Sequence, residues 1–182
     1  MNQVLEAIKK RSSIRAYTDA PITAEQLRAL KEAALASPTA MDRQAQRFLF
    51  ITDKALISDI ESAVVDSIVA SGDAAAIART AARDNKIIYD APLLVVIAIP
   101  KDSSIAKVDA GIAVQNLALA ATSLGLDSVI LGMPSVAFEQ EEICNRAKMP
   151  KDLIYGISIA IGNRAMDKEP HVSDASHIIE VK

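Results

Sequence analysis

The residues best suited to chemistry lie in one short segment near the N-terminus. Arg11, Ser12, Ser13 and Arg15 place two guanidinium groups and two hydroxyls within five positions. Arginine donates paired hydrogen bonds to phosphate oxygens, and serine hydroxyls add neutral donors, so this combination can bind a phosphate monoester. Short basic stretches are, however, more often solvated surfaces. The segment on its own leaves both interpretations open.

Other kinds of active site lack the residues that they need. The six glycines form neither a G-x-G-x-x-G dinucleotide fingerprint nor a phosphate-binding P-loop. The two histidines, His171 and His177, lie in a polar tail, which argues against a metal site and against a Ser-His-Asp triad. The one cysteine, Cys144, excludes an internal disulfide and a multi-cysteine metal site. We therefore expect no bound metal.

Composition favours one compact domain without nucleic-acid or membrane partners. Apolar residues make up 51% of the 182 residues and aromatic residues only 3%, which is typical of tightly packed helices with small side chains. The net charge of -3 argues against nucleic-acid binding. No apolar run approaches the ~20 residues of a membrane span, and no export signal is visible. We expect a cytoplasmic protein.

Hydrophobic periodicity predicts helices and strands that are intermixed along the chain. A short first helix should end at the polar group that begins with Lys9. Thr23 and Gln26 match a capping box, which predicts a second helix that ends before Ser37 and Pro38. The predicted strands are 48–52, 93–99, 128–131 and 155–161, and the later predicted helices are 53–68, 72–86, 109–124 and 139–148.

Three segments have distinct expected environments. The run 93–99 is apolar without alternation, which is typical of a central strand covered on both faces. The helix 109–124 is apolar nearly all round, so it should lie in the core or at a dimer seam. The last twenty residues are polar, with only Ile178, Ile179 and Val181 able to form a strand. Such a tail is ordered only when something, such as a partner subunit, holds it.

Five short segments, in one order over nearly the whole chain, match a single family pattern. Residues 11–17, followed by 21–23, resemble an R-R/H-S-x-R/K-x-F/Y stretch. Residues 37–44 resemble an A-P-S-x-x-N-x-Q loop, with Asp42 where asparagine is usual. Residues 89–92 match Y-x-A-P, 109–132 match a long helix followed by G-L-x-x-x-x-x-G, and 161–163 match a closing I-G-Y or I-G-N turn. Together these segments resemble the FMN-dependent nitroreductase family of NAD(P)H oxidoreductases.

The resemblance implies an α+β fold with a central, mostly antiparallel sheet flanked by helices. It implies one FMN-binding domain, residues 1–182, in a homodimer in which the C-terminal tail, 163–182, packs on the partner subunit. It also implies an enzyme that passes a hydride from NAD(P)H through flavin N5 to a nitroaromatic, quinone or related acceptor by a ping-pong mechanism. The non-covalent FMN then carries the chemistry, and no catalytic side chain is needed.

Two alternatives remain at this stage. The chain could be a non-catalytic homodimer that binds or senses flavin, or a flavin-free dimer that keeps only the fold. Flavin absorbance and NAD(P)H oxidation separate the three interpretations.

The resemblance also assigns cofactor contacts. Arg11, Ser12 and Ser13 correspond to residues that contact the ribityl phosphate, and Arg15 corresponds to a cation near flavin N1 and O2. The turn at Leu131 and Gly132 corresponds to the backbone beside the isoalloxazine edge, with the Gly132 N–H as the partner of N5. The other predicted contacts are a loop from the second subunit and a basic tail residue that completes the phosphate site: Pro38, Thr39, Met41 and Gln44 in the loop, and Arg164 or Lys168 in the tail.

Overall fold

Four strands form one antiparallel sheet. The computed structural model describes residues 2–169 and 171–181. Within them the strands lie in the order β1-β2-β4-β3, so β2 and β4 are central and β1 and β3 are edges. The strands are β1 (Arg47–Ile51), β2 (Leu93–Pro100), β3 (Asp127–Leu131) and β4 (Leu153–Gly162). The expected α+β fold with an antiparallel sheet and a central strand at 93–99 is confirmed.

Helices cover both faces of the sheet. Helices α2 and α5 pack on one face, and α3, α6 and the segment after β3 pack on the other. The helices in the described part of the chain are α1 (Gln3–Lys10), α2 (Ala24–Leu35), α3 (Lys54–Ala70), α4 (Ala74–Ala81), α5 (Ser104–Ser123) and α6 (Glu141–Arg146), with short 3₁₀ segments at Ala40–Asp42, Met133–Glu139 and Ala175–His177. None of these described helices is long and apolar enough to cross a membrane.

Side-chain caps begin the helices where the sequence predicts them. The Thr23 hydroxyl accepts from the Gln26 N–H at 3.1 Å, and the Gln26 side chain accepts from the Thr23 N–H at 3.0 Å, which confirms the capping box. The Asp53 carboxylate accepts from the Ala55 N–H at 2.9 Å and so begins α3. A third cap, at Ser103, begins α5 before the predicted start at residue 109. The local cap determines the boundary there, not the apolar pattern.

Two predicted helices are shorter in the structure than the sequence predicts. Helix α4 ends at Ala81, within the predicted 72–86. The turn that follows is held by the Glu61 carboxylate of α3, which accepts from the N–H groups of Ile87 at 2.6 Å and Ile88 at 2.7 Å. The predicted helix 139–148 is also shortened, since the six-residue α6 begins at Glu141, after a 3₁₀ segment that ends at Glu139.

Several apolar side chains remain exposed in the isolated protomer. Helix α1 is amphipathic but buries none of its residues, and Leu5 on its apolar face is 52% exposed. Helix α5 is not covered on every side within the protomer, since Val108, just before the predicted 109–124, is 55% exposed and Ile112 is 38% exposed. In the tail, Ile179 is 86% exposed and lies outside any described strand. These exposed apolar side chains belong to different elements, and no other part of the described residues packs over them.

Candidate functional site

The chain that follows α1 runs along the outer edge of β3. Ser13 forms a parallel bridge with Ser128, and the Ile14 N–H donates to the Ser128 carbonyl at 3.1 Å. Ile14 is fully buried. The buried Tyr17 hydroxyl lies 3.0 Å from the Ile14 carbonyl and 3.3 Å from that of Ala160. These contacts fix the backbone that carries Arg11, Ser12, Ser13 and Arg15.

Ser12 is buried without a hydrogen-bond partner. The residue is 6% exposed, and its Oγ contacts no donor or acceptor within residues 2–169 and 171–181. Buried polar groups are normally hydrogen-bonded, and one left without a partner costs about 1 to 3 kcal/mol. A phosphate oxygen would accept the Ser12 proton and remove that cost. The segment therefore has the donor that an anion site needs.

Arg11 lies at the end of α1 beside an open, basic cavity. The cavity has a volume of about 760 Å³. It is lined from α1 and its end by Glu6, Ile8, Lys9, Lys10 and Arg11, and from the tail by His171 and Ser173. Arg11 is half-buried, whereas Arg15 is exposed. Three cationic side chains and one carboxylate from α1 and its end thus line the same space, and the net positive charge favours a bound anion.

The two predicted tail residues have different partners. Lys168 Nζ donates to the Ser13 carbonyl at 3.0 Å, so its ammonium group lies beside the predicted phosphate contacts. Arg164 instead forms a two-point ion pair with Asp127, at 2.8 and 2.5 Å, and this bond raises the pKa of Arg164 above its ordinary value. Lys168 is therefore the better candidate for the phosphate, and Arg164 orients the start of the tail.

Leu131 ends β3, and Gly132 follows it at the same edge of the sheet. Leu131 is 7% exposed, whereas Gly132 is exposed. Apart from its chain neighbours, no atom of the described residues lies within 4 Å of the position that a Cβ of Gly132 would occupy. The backbone at Gly132 is thus open to a flat group placed against it. The predicted contact through a main-chain N–H needs this access.

The loop 37–44 is held in an unusual backbone conformation. Met41, Asp42 and Gln44 have φ values of 53°, 50° and 46°, a region that non-glycine residues seldom adopt. The Thr39 hydroxyl accepts from the Gln44 N–H at 3.0 Å, and the Gln44 amide donates to Asp42 at 2.8 Å. Met41 is 76% exposed. The loop thus bonds to itself and directs an apolar side chain outward.

Helix α5 anchors this loop through two polar side chains that the family motifs did not assign to the site. The Asp109 carboxylate, in a residue that is 8% exposed, accepts from the Ala40 N–H at 3.1 Å. The Asn116 amide donates to the Ser37 hydroxyl at 3.1 Å. These positions are about two helical turns apart and lie on one face. Two polar residues at that spacing on one face of the helix are the sequence signal that could have identified them.

Asp109→Ala should loosen the loop and destabilise the protein. The substitution removes the acceptor of the Ala40 N–H, and the expected loss is about 1 to 2 kcal/mol in the free energy of unfolding, with faster amide exchange in residues 37–44. Asp109→Asn is the matched control because its amide oxygen can still accept. Urea unfolding and hydrogen exchange measure both effects. Equal stability of the alanine variant and the wild type would contradict the anchoring role.

The two groups of predicted cofactor contacts lie at opposite edges of the sheet. Residues 11–15 and 131–132 lie at the β3 edge, whereas the loop 37–44 leads into β1. Three strand spacings separate these edges, a distance of about 14 Å. One protomer therefore brings Arg11, Ser12 and Ser13 together with Lys168, but it does not bring Pro38, Thr39, Met41 or Gln44 to them.

Comparison with known proteins gives consistent results. The family model described as the nitroreductase family matches residues 8–162. A nitroreductase with bound FMN from Desulfitobacterium hafniense DCB-2 is 33% identical, with 100% of each chain covered and a TM-score of 0.96. A nitroreductase with bound FMN from Bacteroides fragilis NCTC 9343 is 25% identical, again over 100% of each chain, with a TM-score of 0.91. No curated protein matches the sequence significantly.

A more distant similarity extends to the fold alone. The NADPH:FMN oxidoreductase from Vibrio harveyi, solved in complex with NAD⁺, is 22% identical, with 100% of this chain and 77% of that chain covered and a TM-score of 0.75.

Proposed function

Because the chain belongs to the nitroreductase family, we propose that it is an FMN-dependent oxidoreductase that takes its electrons from NAD(P)H. The observation that carries the proposal is the buried, unpartnered Ser12 hydroxyl within a cationic segment, among the described residues. Two similar nitroreductase structures contain FMN, whose phosphate matches the donors found here. The residues present therefore fit this cofactor.

The residues at the β3 edge would each have a distinct task. Arg11 and Lys168 supply positive charge, and Ser12 and Ser13 supply hydroxyl donors, for the phosphate and the adjoining ribityl chain. Arg15 would place a cation near N1 and O2, where negative charge grows when the flavin is reduced. The Gly132 N–H would donate to N5.

The chemistry itself belongs to the cofactor. When bound, FMN would supply electron transfer: it would accept a hydride from NAD(P)H at N5 and pass two electrons, with two protons, to an acceptor such as a quinone. Because the surface at Gly132 is open, NAD(P)H and the electron acceptor can reach the same position one after the other, which supports a ping-pong order. We propose a nitroaromatic, quinone or related compound as the acceptor.

We further propose that the active unit is a homodimer. Residues 37–44 cannot reach the β3 edge within one protomer, so Pro38, Thr39, Met41 and Gln44 would contact the flavin from the second subunit. The accessible surface of the protomer is 10842 Å². A compact monomer of this mass exposes about 8,500 Å². The excess, together with the exposed apolar side chains of α1, α5 and the tail, supports a large interface on which residues 163–182 pack.

Spectroscopy and titration test this proposal. The purified protein should show flavin absorbance and retain close to one FMN per protomer, and anaerobic NADH or NADPH should bleach that absorbance at about one equivalent per FMN. Steady-state oxidation of each nucleotide with a quinone and with a nitroaromatic then identifies the donor and the acceptor class. Bound FMN that no nucleotide reduces would indicate a flavin-binding protein without turnover. Protein that takes up no added FMN would contradict the proposal altogether.

A further inference from the structure

Two hydroxyl groups converge on the carbonyl oxygen of Leu131. Tyr155 Oη lies 2.6 Å from that oxygen, and Ser158 Oγ lies 3.1 Å from it. The two hydroxyls are 2.8 Å apart. A proton must lie between Tyr155 Oη and the carbonyl, because two unprotonated oxygens would repel each other at 2.6 Å. Tyr155 therefore donates to Leu131, and Ser158 donates either to Leu131 or to Tyr155.

A β-bulge brings these two side chains to one face of the sheet. Residues three apart in a regular strand point to opposite faces. Here Ile97 pairs with Ile157 and Ala98 pairs with Tyr155, so one residue of β4, Gly156, has no counterpart in β2. A Cβ at Gly156 would lie 2.8 Å from the Ile97 carbonyl oxygen. Only glycine fits this bulge, and bulges of this kind re-aim side chains beside functional sites.

The environment keeps the Tyr155 hydroxyl protonated and in place. Burial raises the pKa of Tyr155 well above its ordinary value, against a smaller opposing effect of the Ser158 hydrogen bond. The ring packs against Phe138, with 5.5 Å between the ring centroids. Ser158 is fully buried and pairs with Leu131 across the sheet. Both donors are thus fixed relative to the carbonyl.

The carbonyl of Leu131 and the N–H of Gly132 belong to one planar peptide group. Its resonance couples the two ends, so a donor that draws electrons toward the oxygen makes the N–H more acidic. Consecutive hydrogen bonds strengthen one another by roughly 10 to 30% in this way. The N–H end of the peptide is at Gly132, which is exposed at the end of β3.

We propose that Tyr155 and Ser158 are positioning residues that orient and polarise the Leu131–Gly132 peptide, and thereby set the strength of its hydrogen bond to N5 of bound FMN. The inference rests on the proposed function, because it requires FMN with N5 at Gly132. Oxidised N5 has a free lone pair and accepts well, whereas N5 that carries a hydrogen after reduction accepts poorly. A stronger donor thus favours the oxidised cofactor.

Tyr155→Phe tests the proposal on the FMN-loaded protein. The variant should move the N5 signal of ¹⁵N-labelled FMN toward that of a weaker hydrogen bond. At one fixed ambient potential, the ratio of reduced to oxidised flavin should rise about threefold. This is the change expected when the hydrogen bond to N5 loses part of its net free-energy contribution. Tyr89→Phe is the matched control, since Tyr89 is also buried but its hydroxyl lies 3.5 Å from Arg83 and not at this peptide.

A second measurement does not depend on the cofactor. The chain has six glycines, so a spectrum of protein labelled with ¹⁵N-glycine is simple, and Gly132→Ala identifies the signal that belongs to Gly132. Tyr155→Phe should move the Gly132 amide proton upfield both with and without FMN, and Ser158→Ala should move it less. The smaller serine change also covers the case in which the tyrosine variant fails to fold.

The outcomes separate this inference from the proposed function. Wild-type protein that binds FMN, together with variants whose N5 signal, flavin ratio and Gly132 amide match the wild type, would overturn the role of Tyr155 and Ser158 alone. Wild-type protein that binds no FMN would overturn both. Changes in the Tyr155 and Ser158 variants that are absent from Tyr89→Phe would support the inference.

Discussion

Leu5→Glu should shift the proposed dimer toward a monomer that no longer retains FMN. Leu5 is 52% exposed on the uncovered apolar face of α1. In a monomer a glutamate there would be solvated and nearly neutral in its effect. In a dimer interface that buries this face, an unpaired carboxylate should weaken the affinity between the subunits by at least ~2 kcal/mol, or about 30-fold. The flavin should be lost as well, because the loop 37–44 would no longer reach the β3 edge.

Val69→Glu is the control for this prediction. Val69 is a similarly exposed apolar residue, at 57%, but it lies on α3, which packs on the opposite face of the sheet from α5. The variant should remain dimeric and yellow. Sedimentation velocity with absorbance detection follows mass and flavin together. A dimeric, FMN-loaded Leu5→Glu protein would show that α1 lies outside the interface.

Arg11→Ala should weaken FMN binding by at least ~1.5 to 3 kcal/mol, or roughly 10- to 150-fold. The variant removes one charge-assisted contact to the phosphate but leaves Ser12, Ser13 and Lys168 in place. Riboflavin, which lacks the phosphate, should bind the variant and the wild type equally well. Fluorescence titration of apoprotein with FMN and then with riboflavin measures both affinities.

Arg28→Ala removes the same charge at a distant site. Arg28 is exposed on α2 in an i,i+4 pair with Glu32, a kind of pair that contributes little. FMN affinity should therefore be unchanged in this variant. If Arg11→Ala also binds FMN as tightly as the wild type, Arg11 does not hold the phosphate. An equal loss of FMN and riboflavin would instead indicate a general change in the fold.

Much of the fold could be predicted from the sequence because its signals are local. The capping box at Thr23 and Gln26 involves residues three apart, and Asp53 caps its own helix. The uninterrupted apolar run of β2 predicted a central strand, and its position between β1 and β4 confirms this. The predictions failed where a distant contact intervened, as where Glu61 holds the turn after α4.

In the candidate site, too, local sequence signals predicted part of the arrangement and distant contacts decided the rest. The types and order of Arg11, Ser12, Ser13 and Arg15 indicated an anion site and, with four further motifs, a family. Two basic tail residues remained equal candidates, and the structure distinguishes them, because Arg164 pairs with Asp127 while Lys168 reaches Ser13. No local sequence pattern specifies which residues far apart in the chain come within hydrogen-bond distance of each other.

The sequence by itself determined the helix caps, the apolar strands and the set of residues whose types suit a phosphate, since each depends on residue types at short spacing. Only the tertiary structure decided that Ser12 is buried without a partner among the described residues, that the loop 37–44 lies at the far edge of the sheet, and that a bulge at Gly156 aims Tyr155 and Ser158 at one carbonyl. The physical reason is that burial and strand register depend on contacts between residues far apart in the chain, and a shift of one residue changes the face to which every side chain points.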